Sequence, residues 1–162
     1  GFWYLARVRD GGSLLLADGG KQTFRIIDAD DCARAHVDAG ECPAAVGQAF
    51  NVAQWETNTL REFVEESCRT LRSKAEILSV PGELLGELAG PWAPMAPFIP
   101  DFSKAAAAWG FAPTPWPKLA ERAAQWFLAH EGEVTPRVTR TRGEELRFAD
   151  RWKDLVGRFS LG

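Results

Sequence analysis

The chain has 162 residues, a formal net charge of −3, and 46% hydrophobic residues. That length suits one domain with room for an appended element, and that hydrophobic content excludes wholesale disorder. The acidic balance, with a pI near 5.5, argues against a general nucleic-acid binder, which needs a basic surface to neutralise phosphates.

Cys32, Cys42 and Cys68 make an odd count without a C-x-x-C spacing. Neither a disulfide framework nor a zinc site is therefore expected, and a reducing, cytoplasmic compartment is. No apolar run reaches the ~18 residues of a membrane span, and no basic stretch followed by an apolar one reads as a signal peptide. The sequence opens on Gly1 and its one Met is Met95, so either a processed start or a piece of a longer chain is expected.

Residues 2–9, FWYLARVR, read as a short helix or an extended lead-in, ended by Gly11-Gly12. The stretch 14–37 organises the rest of the chain. Leu14–Ala17 reads as a strand, Asp18-Gly19-Gly20 as a tight turn, and Phe24–Ala29 as a second strand. Asp30 or Asp31 is expected to cap a helix over 31–40, with Ala33, His36, Val37 and Gly40 at helical spacing. Residues 49–53, AFNVA, read as a brief strand. Thr59-Leu-Arg-Glu62 is a capping box opening a helix whose apolar stripe is Leu60, Phe63, Val64, Cys68 and Leu71. Residues 75–80 alternate as a strand does.

Gly82, Gly86 and Gly90 are spaced by four, with Glu83 and Glu87 between them, which suggests a surface helix with a small-residue packing face. The stretch PWAPMAPFIP carries Pro91, Pro94, Pro97 and Pro100. It reads as an ordered loop anchored by Trp92 and Phe98, with a polyproline ligand as the alternative. Asp101 or Ser103 caps the helix KAAAAW, which stops at Gly110. A helix over 118–130 turns Leu119, Ala123, Trp126 and Phe127 inward. Residues 131–143 are polar and read as a linker. The segment 144–162 reads as a C-terminal amphipathic helix, with Phe148, Trp152, Leu155 and Phe159 on one stripe. Its mixed charges favour docking on protein over a lipid surface.

Few groups suit chemistry. Asp28, Asp30, Asp31, Cys32 and His36 cluster, but hard oxygens beside a soft sulfur suit no single metal ion well, and a strand end followed by a helix cap explains them. His36 and His130 are the two histidines, and neither sits by a G-x-S-x-G elbow. The glycine pairs match neither dinucleotide nor P-loop patterns. Arg25 lies among apolar neighbours, where it either binds an anionic group bidentately or pairs with Asp28 or Asp30.

Three segments carry a family resemblance. Asp28, Asp31, Ala33 and Ala35 fit a D-x-x-D-x-A-x-A-like turn into a helix. Phe50, Asn51 and Val52 fit a strand of the form F/Y-N-V/I. Asp101, Ser103, Lys104, Ala105, Gly110, Phe111, Pro113 and Thr114 fit a late D-x-S-K-A…G-F-x-P-T segment. In this order, over residues 2–130, they resemble the C-terminal half of the extended short-chain dehydrogenase/reductases, the NAD-dependent epimerase/dehydratase group. The resemblance implies an α/β fold: the C-terminal, substrate-binding portion of a Rossmann-like protein, with short strands and several helices.

It also implies chemistry this chain does not carry alone. The family grips NAD or NADP with an N-terminal Gly-rich turn and uses a Tyr-x-x-x-Lys pair. Here the one Tyr is Tyr4, and the residue four on is Val8. Thr23-Phe24-Arg25 stands where an Arg-Asp-Tyr-like start is common in sugar-nucleotide epimerases. By resemblance, Phe2, Trp3 and Arg7 would edge a substrate cleft and Arg25 would lend it positive charge. A complementary N-terminal dinucleotide-binding half or a homo-oligomer is the expected partner, with a small molecule as substrate. A non-catalytic binding module, its former interface covered by self-association or by helix 144–159, is the alternative.

Overall fold

The structure is a computed structural model that describes residues 1–92 and 96–159. Pro94 and Met95 of the proline-rich loop, and residues 160–162 of the terminal segment, lie outside the described residues. In chain order the helices and strands are α1 (Phe2–Asp10), β1 (Leu14–Ala17), β2 (Thr23–Phe24), α2 (Ala29–Glu41), β3 (Asn58–Thr59), α3 (Leu60–Thr70), β4 (Ile77–Val80), α4 (Ser103–Trp109), α5 (Trp116–Ala129), α6 (Glu131–Val138) and α7 (Arg142–Phe159). The chain divides into two compact units: Gly1–Gln22 with Thr59–Met95 and Ala120–Gly162, and Thr23–Asn58 with Ala96–Leu119.

In the first unit, α1 buries Tyr4, Leu5 and Val8 and ends at Gly11, whose left-handed backbone returns its N–H to Val8. All four residues of β1 are buried, as suits a strand covered on both faces. β1 pairs in parallel with β4, in the register Leu14↔Ile77 to Ala17↔Val80. Asp18–Gly20 is the expected tight turn, but no hairpin follows it. A parallel partner needs a long crossover, and β4 supplies it much later in the chain.

Among the described residues, two apolar clusters help to hold this unit. Leu15, Ala17, Val80, Leu85, Ala89 and Ala149 form one, with Phe148 and Trp152 of α7 packed against it. Leu5, Ala6 and Phe127 form the other, joined by Val134 and Val138 of α6. The stretch expected as a linker, 131–143, thus holds a packed helix, although Pro136 sits inside it. Gly132 and Pro136 are breakers by propensity, and the packing of half-buried Val134 and Val138 on the α1 cluster overrides them. The expected helix over Gly82–Gly90 is instead two 3-10 turns, Gly82–Leu84 and Gly86–Ala89. Gly90, at φ 80°, admits no side chain, because a Cβ there would lie 2.9 Å from the Trp3 ring and the Tyr4 hydroxyl.

α3 starts with both bonds of its capping box formed between Thr59 and Glu62. It buries Leu60, Phe63, Val64 and Ser67, while Cys68 is only partly covered. Trp92 anchors its loop against the Tyr4 and Phe63 rings, at centroid distances of 5.3 and 5.0 Å. Phe127 is buried as expected and Trp126 is exposed. On α7 the inward residues are Arg142, Glu145 and Ala149, and Leu155 and Phe159 face outward.

In the second unit, the strand expected over 24–29 shortens to Thr23–Phe24, and residues 49–53 form no strand. Extended backbone is nonetheless bonded here: Arg25 N–H donates to Phe98 O at 2.8 Å and Gln54 N–H to Ile26 O at 2.8 Å. Asp28, not Asp30 or Asp31, caps α2 and accepts from Asp30 N–H. Ala33, His36, Val37 and Gly40 are exposed on α2, and Asp31 and Ala35 face inward. The core is Ala35, Ala53, Phe102, Ala105 and Phe111, with Phe50 and Trp109 against it. Asp101 accepts from Ser103 N–H as α4 begins, and Gly110 ends α4 in the left-handed conformation. Phe98, expected as an anchor, is exposed.

Candidate functional site

The residues singled out by the sequence fall in both units. Phe2, Trp3 and Arg7 belong to the first and Arg25 to the second.

Arg7 is fully buried. Its Nε donates to Glu145 Oε2 at 2.6 Å and its Nη2 to Glu145 Oε1 at 2.5 Å, a bidentate pair. Nη1 donates to Trp3 O and Val138 O, each at 2.9 Å. The guanidinium also lies 3.4 Å over the Trp3 ring. Its donors are therefore engaged inside the fold, where they join α1, α6 and α7. Arg142 continues the network with 2.5 and 2.6 Å contacts to Asp10 and a 2.8 Å bond to Ser13 O. Phe2 stacks on Trp126 at 4.8 Å, and Trp126 stacks on His130 at 4.1 Å. Phe2 and Trp126 thus keep open aromatic surface, while Trp3 is half-buried between Arg7 and Tyr4.

Tyr4 is closed off from solvent. Its hydroxyl accepts from Trp92 N–H at 3.4 Å. Burial pushes its pKa up to about 12, against smaller lowering effects from that backbone bond and from Arg7. A phenol so placed is a poor acid–base group. The glycine pairs do not form a dinucleotide cradle either: Gly11 closes a helix, and Gly19-Gly20 lead toward β2 and not into a helix.

Arg25 is half-buried and differently placed. Its Nε donates to Thr57 Oγ1 at 3.0 Å and its Nη1 to Pro100 O at 3.3 Å. Those partners are neutral oxygens and not Asp28 or Asp30, so its charge is not cancelled by a hydrogen-bonded carboxylate. Nearby, the Ser103 hydroxyl and amide hold the Asp101 carboxyl below its usual range, with a smaller contribution from the Arg25 charge. No group of three or more potential metal ligands is present among the described residues. His36 Nδ1 bonds the Cys32 carbonyl at 2.7 Å and lies 3.9 Å from the Cys32 Sγ, contacts within one turn of α2.

The motif residues turn out to hold one another. Asp31, buried on α2, accepts from Thr114 N–H at 2.5 Å and Thr114 Oγ1 at 3.0 Å, and also meets Arg34 at 2.5 Å. The first and last motifs are thereby joined directly. Lys104 of the last motif donates to Ala49 O and Gln48 Oε1, each at 3.0 Å. It also lies over the Phe50 ring at 4.6 Å, beside the middle motif. These residues build the second unit, and none needs a ligand to explain it. Sequence reasoning missed the Arg7–Glu145–Arg142–Asp10 network, because pairs this remote in sequence leave no local pattern.

The fold is that of part of the Rossmann-like epimerases. Among solved structures, an epimerase from Methanothermobacter thermautotrophicus matches with a TM-score of 0.66 at 17% identity, covering 82% of this chain and 37% of that one. A UDP-glucose 4-epimerase from Thermotoga maritima, solved with UDP-glucose, matches with a TM-score of 0.64 at 16% identity, covering 79% and 38%. A UDP-glucuronic acid 4-epimerase from Bacillus cereus, solved with UDP-glucuronic acid and NAD, matches with a TM-score of 0.62 at 18% identity, covering 79% and 38%. The chain thus spans less than two fifths of the length of these proteins. No protein-family profile matches it, and no curated protein sequence does. No helix among the described residues is long and apolar enough to cross a membrane.

Proposed function

We propose that this chain is the C-terminal, substrate-binding portion of an NAD(P)-dependent epimerase-, dehydratase- or reductase-like oxidoreductase. The observation that carries the reading is the fold: about four fifths of the chain matches, and it matches under two fifths of each epimerase. A complementary dinucleotide-binding half would bring the Gly-rich turn and the Tyr-x-x-x-Lys pair, with NAD or NADP as its cofactor. In this reading the added half would cover part of the apolar surface that the second unit exposes at Val37, Val46, Trp55, Phe98 and Ile99. Arg25 is the proposed contribution of the second unit to binding a small anionic substrate. Arg7 supports the fold and not the substrate.

A stand-alone binding module is the second reading, and one observation favours it. The parallel strand β1 is fully buried by this chain's own elements, with α7 packed on the β1–β4 cluster. The first unit therefore leaves no bare β1 for another protein to cover. Expressing the chain together with a dinucleotide-binding half separates the readings: the first requires a joint complex with cofactor-dependent turnover, the second a chain that stays by itself.

A further inference from the structure

The first unit has a cleft of about 570 Å³ where the parallel strands β1 and β4 end and α3 begins. Its lining includes Asp18, Gly19, Lys21, Thr59, Arg61 and Ser79. Clefts beyond the carboxyl ends of parallel strands are where open α/β sheets take ligands. The proposed substrate contacts use none of these residues.

Four details define what the cleft can hold. Lys21 is exposed and makes no hydrogen bond or ion pair among the described residues, so its ammonium has no counter-charge. Arg61 is held in place by its Nε bond to Gly19 O at 2.9 Å and an Nη1 contact to Glu65 at 3.3 Å. Gly19, at φ 74°, keeps space open: a Cβ there would lie 3.2 Å from Ser79 Oγ and 3.9 Å from Arg61 Nη2. A hydroxyl and the free edge of a guanidinium therefore converge on a spot that only glycine leaves clear. The acid in the lining, Asp18, is tied to Gly82 N–H at 3.0 Å.

We propose that this cleft binds a small oxyanion, the phosphate or carboxylate group of a polar metabolite, between the Lys21 ammonium, the Arg61 guanidinium and the Ser79 hydroxyl. An arginine fork and a mobile ammonium are the pair that recognises such groups. The inference does not depend on the oxidoreductase reading, because every residue it uses lies within the first unit.

The test is a ¹H–¹⁵N NMR titration of the full chain with inorganic phosphate and, separately, acetate, with ionic strength held constant by chloride. The Gly19, Gly20, Lys21 and Ser79 amides should shift and saturate. Lys21→Gln touches no partner and leaves the rest of the spectrum in place. It should weaken binding about tenfold, the loss of one charge-assisted contact, and Lys21→Gln with Arg61→Gln should abolish it. Tighter phosphate marks a phosphorylated ligand, and tighter acetate marks a carboxylate. Amides that do not saturate, or an affinity that Lys21→Gln leaves unchanged, would overturn the proposal.

Discussion

Arg7 shows how far burial decides a residue's role. The same guanidinium that suggests substrate recognition in the sequence is fully enclosed and matched by Glu145. Removing one partner of a buried pair leaves an uncompensated charge, which costs about 3–5 kcal/mol. Glu145→Ala should lower stability by that amount in urea unfolding, and a loss under about 1 kcal/mol, the level of a surface pair, would contradict the buried network. Tyr4 offers an optical check, being the one Tyr of the chain. The folded protein holds its proton to about pH 12, while the unfolded chain releases it near the ordinary value of 10.0. Stability from this group is thus whole below pH 10.0 and is lost as pH rises through about 12. Phenolate absorbance should rise near 12 in native protein and near 10.0 in denaturant. A native midpoint at 10.0 would show that Tyr4 is open to water.

At the scale of elements, the sequence is legible where the physics is local. The Thr59–Glu62 box forms both of its bonds, and Gly11 and Gly110 end helices as their positions suggest. Thr59→Ala should cost about 1 kcal/mol, typical of a lost cap, and an unchanged urea midpoint would show that the cap is dispensable. Elements decided by remote partners are not legible. β1 resembles the first arm of a hairpin because its parallel partner lies in another part of the chain. The residues 131–138 resemble a linker because Gly132 and Pro136 say nothing of the α1 surface that holds them. The candidate site divides in the same way. Arg25 is legible as a cation that either binds an anionic group or pairs with Asp28 or Asp30, and its neutral partners Thr57 and Pro100 come only from the fold. The motifs are legible as a resemblance, while their reason, the Asp31–Thr114 and Lys104–Ala49 bonds, needs the structure.

At the scale of the whole molecule, each unit interleaves segments distant in sequence. Such interleaving explains why composition suggests a boundary at residue 130 while the packing divides the chain elsewhere. The first unit packs α7 on its sheet, and both units keep large apolar side chains exposed, among them Trp126 and Phe159 in the first and Trp55 and Phe98 in the second. The most direct measurement is native mass spectrometry of the 17.9 kDa chain expressed with a dinucleotide-binding half that carries the Gly-rich turn and the Tyr-x-x-x-Lys pair. The account predicts a one-to-one complex that retains a bound dinucleotide. A 17.9 kDa chain that remains by itself, as monomer or homo-oligomer, would contradict it and leave the stand-alone binding module.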